Sequence, residues 1–145
     1  MAVLRENPYG NAQFNVEING LVNSKFEQVQ LPELGVEVVE YRDGNDPERS
    51  LRKIPGKSYL SNLVLRRGYT GSLDLYQWWQ QVAQGDVDAR RSVAVILLDE
   101  ERNPVTRWVF RGAFPARYYF SQLDAMDGST LVETIDLAFD SVGME

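Results

Sequence analysis

The chain has 145 residues and a formal net charge of −6, with 43% hydrophobic and 25% charged residues. This length allows one domain with its own core but is too short for two ordinary domains, so we expect a single domain over residues 1–145. The chain contains neither cysteine nor histidine. Disulfides, thiolate ligands, the commonest general base and the commonest zinc ligands are therefore excluded, which disfavours an enzyme and predicts no cofactor.

The ends and the overall charge give two further expectations. No apolar run approaches the roughly 20 residues that cross a bilayer, and residues 1–10 lack the apolar segment of a secretory signal. We therefore expect synthesis and folding in the cytoplasm without a signal peptide, and no direct membrane insertion. The negative net charge disfavours specific nucleic-acid binding, which depends on clustered lysine and arginine.

The first half of the chain shows mainly strand patterns. Alternating apolar and polar residues predict a strand over residues 13–19, and similar patterns predict strands over residues 25–31, 36–42 and 57–67. The segment between the last two strands, residues 42–53, is acidic in its first half and basic in its second. A polar loop of this length inside a compact domain is typically functional or disordered.

One helix is predicted over residues 73–84. Ser72 is a suitable N-cap, Asp74 would lie in the first turn, and Gly85 would end the helix. Leu75, Trp79 and Val82 recur at helical spacing, with Trp78 widening the apolar side.

Strands resume after the helix. The run VAVILL within residues 92–98 indicates a strand buried on both faces, and a further strand is predicted over residues 105–112. Residues 113–129 look irregular, and alternation predicts a last strand over residues 131–140. The sum is a mainly β fold with one α-helix. One helix cannot cover such a sheet on both sides, so the sheet should curl into a small β-barrel or close on other copies.

Two site motifs fail on spacing. The GKS of residues 56–58 needs a glycine where Leu51 stands, and it leads into a strand and not into a helix. A calcium loop starting at Asp43 would need glycine and glutamate at the positions of Glu48 and Ile54. We therefore predict no nucleotide site and no metal site.

Several motifs together resemble one protein family. They are Asn7-Pro8-Tyr9-Gly10-Asn11, Glu40-Tyr41-Arg42, Pro55-Gly56, Leu65-Arg66-Arg67-Gly68 and Glu133-Thr134-Ile135. In these motifs the chain resembles the inner-tube (tail tube) proteins of contractile injection systems and phage tails, which are related to the type VI secretion ring protein. The resemblance covers nearly the whole chain.

The resemblance implies a structural protein of tail-tube fold, a small β-barrel whose hairpins join neighbours in a hexameric ring. The rings would stack into a tube around a channel for effector delivery within a phage-tail-like particle. The implied partners are other copies of the chain, a sheath protein, baseplate and terminal cap proteins, and effector cargo in the lumen. One alternative is the tail tube of a contractile-tailed phage that conducts DNA. A distant alternative is a carbohydrate-binding β-sandwich using Trp78, Tyr118 and Tyr119.

Two residue sets are expected to serve the tube. The charged loop would interlock stacked rings, because its acidic and basic halves could meet complementary charge on the next ring; its residues are Arg42, Asp43, Asp46, Glu48, Arg49, Arg52 and Lys53. Polar residues on strand faces would line the channel with an acidic or neutral wall; the candidates are Asn62, Thr134, Asp136 and Asp140. The arginine pairs at residues 66–67 and 90–91 are expected to pair with acidic residues on this or a neighbouring subunit.

Overall fold

The computed structural model describes residues 4–21, 25–42, 44–45 and 51–145. Within this part of the chain the fold is mainly β with one helix, as expected. The strands are β1 (Phe14–Ile18), β2 (Gln28–Gln30), β3 (Leu34–Tyr41), β4 (Arg52–Leu60), β5 (Leu63–Gly68), β6 (Arg91–Leu98), β7 (Pro104–Phe120), β8 (Val132–Ala138) and β9 (Ser141–Met144). The helix α1 spans Asp74–Ala83. None of the helical residues described forms a segment long and apolar enough to cross a membrane.

Strand β7 joins two antiparallel sheets because it changes partners along its length. Its first half, up to Ala113, pairs with β6 and β9, and β6 pairs with β1. Its second half pairs with β8, which pairs with β5, which pairs with β2. We call these the first sheet (β1, β6, β9 and the first half of β7) and the second sheet (β2, β5, β8 and the second half of β7). No pairing between β1 and β2 closes the path among the described strands.

The core lies between the two sheets. Leu63, Leu65, Ile135 and Leu137 of the second sheet are completely buried against residues of the first sheet such as Phe110. The VAVILL strand is buried on both faces over most of its length, as its continuous apolar run predicts.

The helix packs one apolar side on this core, but the buried tryptophan is not the expected one. Trp78 is 1% exposed and its indole Nε1 donates a 2.7 Å hydrogen bond to the Ala89 carbonyl oxygen, whereas Trp79 is 38% exposed. The expectation that Trp79 belongs to the central apolar stripe is therefore wrong, and Trp78 takes that place. A buried indole needs an acceptor for its N–H, and Ala89 supplies one only at Trp78.

The ends of α1 agree with the sequence in part. Gly85 has a φ of +83° and its amide donates to the Val82 carbonyl oxygen, so it ends the helix as predicted. Ser72 is not the N-cap, because that position is Leu73 and no side chain caps the helix.

Two strand predictions are corrected by the structure, and one strand was missed. The strand predicted over residues 57–67 is two strands, and β4 begins already at Arg52, inside the predicted loop. The segment 113–129 is not irregular at its start, because β7 continues to Phe120 after a register shift between Pro115 and Arg117. The last strand predicted over residues 131–140 forms as β8, and the short strand β9 that begins at Ser141 was not predicted.

Candidate functional site

The most distinctive surface is a two-stranded arm formed by β3 and β4. These strands pair only with each other among the described strands. The arm continues the β2–β5 pair, because the register from Gln28–Arg66 runs without a shift to Val36–Ser58. At the junction the Glu33 amide donates to Ser61 Oγ at 2.6 Å. With eight residues in β3, the arm reaches about 25 Å from this junction.

Both faces of the arm expose apolar side chains. Adjacent residues of a strand point to opposite faces, so Val38 and Val39 expose apolar side chains on the two faces of the arm. A register shift between Val36 and Val38 marks a bulge on β4. Val38, on one face, is 65% exposed. The exposed large apolar residues of the arm are Leu34, Val36, Val38, Val39, Tyr41, Ile54, Tyr59 and Leu60. An isolated two-stranded hairpin is marginal in water, and none of the described residues covers the apolar side chains of this arm.

The predicted stacking residues lie at the tip of this arm where the structure describes them. Arg52 pairs with Tyr41 and Lys53 with Glu40, at adjacent register positions, so the two cations point to opposite faces. Arg42 follows β3 directly and is exposed. The other predicted members, Asp43, Asp46, Glu48 and Arg49, lie outside the described residues.

The second sheet ends in two unpaired edges. No described strand pairs with the outer side of β7 beyond Ala113, or with the outer side of β2. Successive strands of this sheet are antiparallel, so these two edge strands run in opposite directions. Unpaired edges present backbone N–H and C=O groups that a further strand can join.

The four candidate channel residues do not form one cluster. Thr134 and Asp136 lie on the face of the second sheet that points away from the core, but they are only 3% and 7% exposed because longer neighbouring side chains flank them. Asn62 is exposed at the junction between body and arm. Asp140 lies between β8 and β9, where its carboxylate accepts a 3.0 Å bond from Arg90.

A buried charge network ties the helix to the second sheet. The guanidinium of Arg67 lies on the core side of β5 and donates to the carboxylates of Glu133 on β8 and Asp74 at the start of α1. The Tyr118 hydroxyl donates to the second oxygen of Glu133 at 2.6 Å. The Phe26 ring lies 5.3 Å from the guanidinium carbon. The Arg67 cation thus connects β5, β8 and α1, and it also contacts the residues that precede β2.

The network shifts the pKa values of its members. Burial acts to lower the pKa of Arg67, but the hydrogen bonds that its guanidinium donates to Asp74 and Glu133 outweigh burial and raise it. Burial likewise acts to raise the pKa of Asp74, but the Arg67 hydrogen bond and charge outweigh it and lower the pKa. Burial and the bond to Glu133 raise the pKa of Tyr118.

The sequence predicted some of the ion pairs of the arginines, including one member of this network. Arg67 and Arg90 pair with acidic residues as expected, whereas Arg91 donates to the Asn19 carbonyl oxygen instead. The role of Glu133 was missed, although its position two residues before Ile135 places it on the same core-facing side of the strand. A charged residue in phase with core residues is the available signal.

The structure gives no support to a phosphate loop, a metal site or a sugar platform among the described residues. Residues 56–58 lie within β4, so their GKS motif is not followed by a helix N-terminus and cannot form a phosphate loop. Among the described residues, no group of carboxylates is arranged to hold a metal ion. A sugar platform at Trp78 is wrong because that ring is buried, and Tyr118 is engaged with Glu133.

Comparisons with solved structures give close matches in fold. A chain of the six-fold symmetrised baseplate of the anti-feeding prophage has a TM-score of 0.83 and 25% identity, with 97% of each chain covered. A chain of the sheath–tube complex of the extracellular contractile injection system PVC, in its extended state, has a TM-score of 0.82 and 25% identity, covering 97% of this chain and 93% of that one.

A more distant likeness shows the fold alone. Hcp1 from Flavobacterium johnsoniae has a TM-score of 0.54 and 15% identity, covering 90% of this chain and 93% of its own.

No curated protein sequence matches the chain. Residues 10–143 match the family described as T4-like virus tail tube protein gp19. The resemblance expected from the sequence motifs is confirmed, and the chain belongs to the T4-like virus tail tube protein gp19 family.

Proposed function

We propose that this chain is the structural subunit of the inner tube of a contractile injection system, in which hexameric rings stack around a channel for effector delivery. The observation that carries the proposal is the arm, whose exposed apolar side chains on both faces find no partner within the described chain. Identical neighbours in a ring would cover the arm and remove this apolar surface from water.

The strand directions suit closure by rotation. In a ring, each subunit is related to the next by rotation about one axis, so strands keep their direction along that axis. The β7 edge of one subunit would then meet the oppositely directed β2 edge of the next and pair with it antiparallel. This pairing would satisfy the backbone groups of both edges and extend four strands per subunit into a continuous barrel. The six-fold symmetry of the anti-feeding prophage structure supports six subunits.

The tip of the arm would interlock stacked rings. Arg42, Arg52 and Lys53 are exposed at the tip or beside it, and the acidic members of the loop precede Arg52 in the sequence. An exposed ion pair contributes only about 0–1 kcal/mol. Six loops per ring would have to separate together, so small contributions would add up along the interface.

We favour protein effectors over DNA as the cargo. Of the two structures with 25% identity described above, one is a sheath–tube complex of an extracellular contractile injection system and the other is the baseplate of the anti-feeding prophage. We infer that a sheath, a baseplate and a terminal cap are partners of this chain, which would act within an assembled particle. The family name keeps a DNA-conducting phage tail as the alternative. Neighbouring genes for sheath, baseplate and ATPase without a capsid gene would favour the injection system.

Electron microscopy of the purified protein tests ring formation. We expect rings or tubes from the wild-type chain, and a strictly monomeric species at high concentration would overturn the proposal. Replacing Val38 and Ile54 by lysine places charge on both faces of the arm without touching the core, so the variant should fold, as circular dichroism checks, but fail to form rings. Val87→Lys is the matched control, because Val87 is exposed beyond the helix and should tolerate charge. Normal rings from the arm variant would contradict the role of the arm.

A second variant separates stacking from ring closure. Reversing Arg49, Arg52 and Lys53 to glutamate should leave single rings intact but prevent their stacking, because the basic half of the loop becomes acidic. Reversing Arg107 and Arg111 on the first sheet controls for most of the added negative charge, because two reversals supply two thirds of the change that three produce. Tubes of normal length from the triple variant would refute the interlock.

A further inference from the structure

The outward face of the second sheet is organised in two rows that cross all four strands. Each row follows from the strand register, since residues directly opposite each other share a face. The first row is Gln30, Val64, Asp136 and Arg117, and the second is Gln28, Arg66, Thr134 and Tyr119. Seven of these eight side chains are polar or carry a polar group. Such a face tolerates water, whereas the outward face of the first sheet buries Ala94 and Ile96.

The charge on these rows is opposite in sign to that of the chain. The rows contain two arginines and one aspartate, in a chain whose formal net charge is −6. The Arg117 side chain is 67% exposed and lies 3.4 Å from Asp136, with its guanidinium 4.8 Å from the Tyr119 ring. Arg66 forms no ion pair with a described residue. The face therefore carries one net positive charge per subunit.

Asp136 supports the idea that this face is made to be covered or filled. One of its carboxylate oxygens accepts the bond from Arg117, while the other is buried without a hydrogen-bond partner among the described residues. A buried carboxylate oxygen without a donor is unfavourable, so it requires a further hydrogen-bond donor, which a backbone amide of a polypeptide in the channel could supply. With Asp136 already occupied by Arg117, Arg66 is the cation of this face that remains available.

We propose that this face lines the channel and that Arg66 and Arg117 make it a weakly basic wall that selects acidic protein cargo. The inference rests on the proposed tube, because only a closed ring turns the face inward. It replaces the expectation of an acidic or neutral wall formed by Asn62, Thr134, Asp136 and Asp140. In a narrow channel, low-dielectric walls concentrate the field of such rings and enrich molecules of opposite charge.

The positive charge of this wall favours the passage of a polypeptide over that of DNA, because the two polymers differ in charge density. Duplex DNA carries one negative charge per about 1.7 Å of axis, so every ring would hold several phosphates at once and the polymer would lodge. An acidic protein presents a limited number of carboxylates, which exchange between glutamine, tyrosine and arginine side chains along the rows. Weak contacts at many equivalent positions allow retention without permanent binding.

The test uses tubes assembled in the presence of a fluorescent polyglutamate peptide, then washed and sedimented. Electron microscopy before the binding measurement shows whether tubes form, so a failure of the proposed tube is recognised separately and overturns both proposals. We expect wild-type tubes to retain roughly tenfold more polyglutamate than polylysine of equal length at low salt, with the difference lost at high salt.

Matched variants test whether Arg66 and Arg117 cause the retention of polyglutamate. R66Q/R117Q tubes should lose this excess, whereas R107Q/R111Q tubes, which lose two arginines of the first sheet, should keep it. Should R66Q/R117Q fail to assemble, Asp136→Asn gives the opposite change, because it adds a net positive charge to the wall and should increase retention. Equal retention by wild-type and R66Q/R117Q tubes, or no increase with Asp136→Asn, would overturn the proposal. Preferential retention of polylysine over polyglutamate would overturn the cargo class.

Discussion

Replacing Arg67 by methionine should strongly destabilise the fold. The change removes the one cation that pairs with both Glu133 and Asp74, while the methionine retains much of the apolar volume. Glu133 is 1% exposed and cannot reach water, so its carboxylate would remain buried with the Tyr118 hydroxyl as its one side-chain donor among the described residues. Breaking a buried ion pair from one side costs about 3–5 kcal/mol. For a chain of this length, that corresponds to a fall in Tm on the order of 10–15 °C.

The measurement is thermal and urea unfolding at one protein concentration, followed by tryptophan fluorescence. Arg66→Met is the matched control, because Arg66 is the adjacent residue on the opposite face and has no ion pair among the described residues. It should change the free energy of unfolding by less than about 0.5 kcal/mol. An Arg67→Met variant within 1 kcal/mol of wild type, by the same fluorescence measurement, would refute the assigned importance of the network.

The pH dependence of the stability loss in Arg67→Met shows whether the lost ion pair causes it. The pKa of Asp74 is lowered in the folded state, so its ion pair stabilises the fold above the unfolded pKa of about 4 and loses that effect as the pH falls through the folded pKa. The stability difference between wild type and Arg67→Met should therefore be greatest near neutral pH and shrink below about pH 4. A difference that does not depend on pH would point to packing and not to charge.

Two further predictions concern packing and backbone geometry. Trp78→Ala should cost about 3–5 kcal/mol because it empties a buried core position, whereas Trp79→Ala on the exposed side of the helix should cost far less; equal losses in urea unfolding would contradict the assigned helix face. Gly112→Ala should destabilise by more than about 1 kcal/mol, because Gly112 has a φ of +68° and a Cβ there would lie 2.2 Å from an Asp140 oxygen. Gly128→Ala, where a Cβ meets no atom within 4 Å, is its control, and similar melting temperatures for the two variants would refute the account.

The sequence determined the elements whose pattern is local. Alternation located β1, the run VAVILL indicated a strand buried on both faces, and Gly85 ended the helix, because each signal depends on residues a few positions apart. The family motifs correctly indicated a tail-tube fold. The long β7 was not predictable in the same way, because the register shift near Pro115 interrupts alternation although the strand continues.

Only the tertiary structure decided which residues share a surface. Sequence periodicity treats Trp78 and Trp79 as nearly equivalent, and the choice between them depends on where the Ala89 carbonyl lies. The same holds for the rows of the second sheet, since Gln28 and Arg117 become members of one face only through the register of three strand pairs. Local propensities set where strands form, whereas non-local hydrogen bonding sets which side chains meet, and the proposed channel depends on the second.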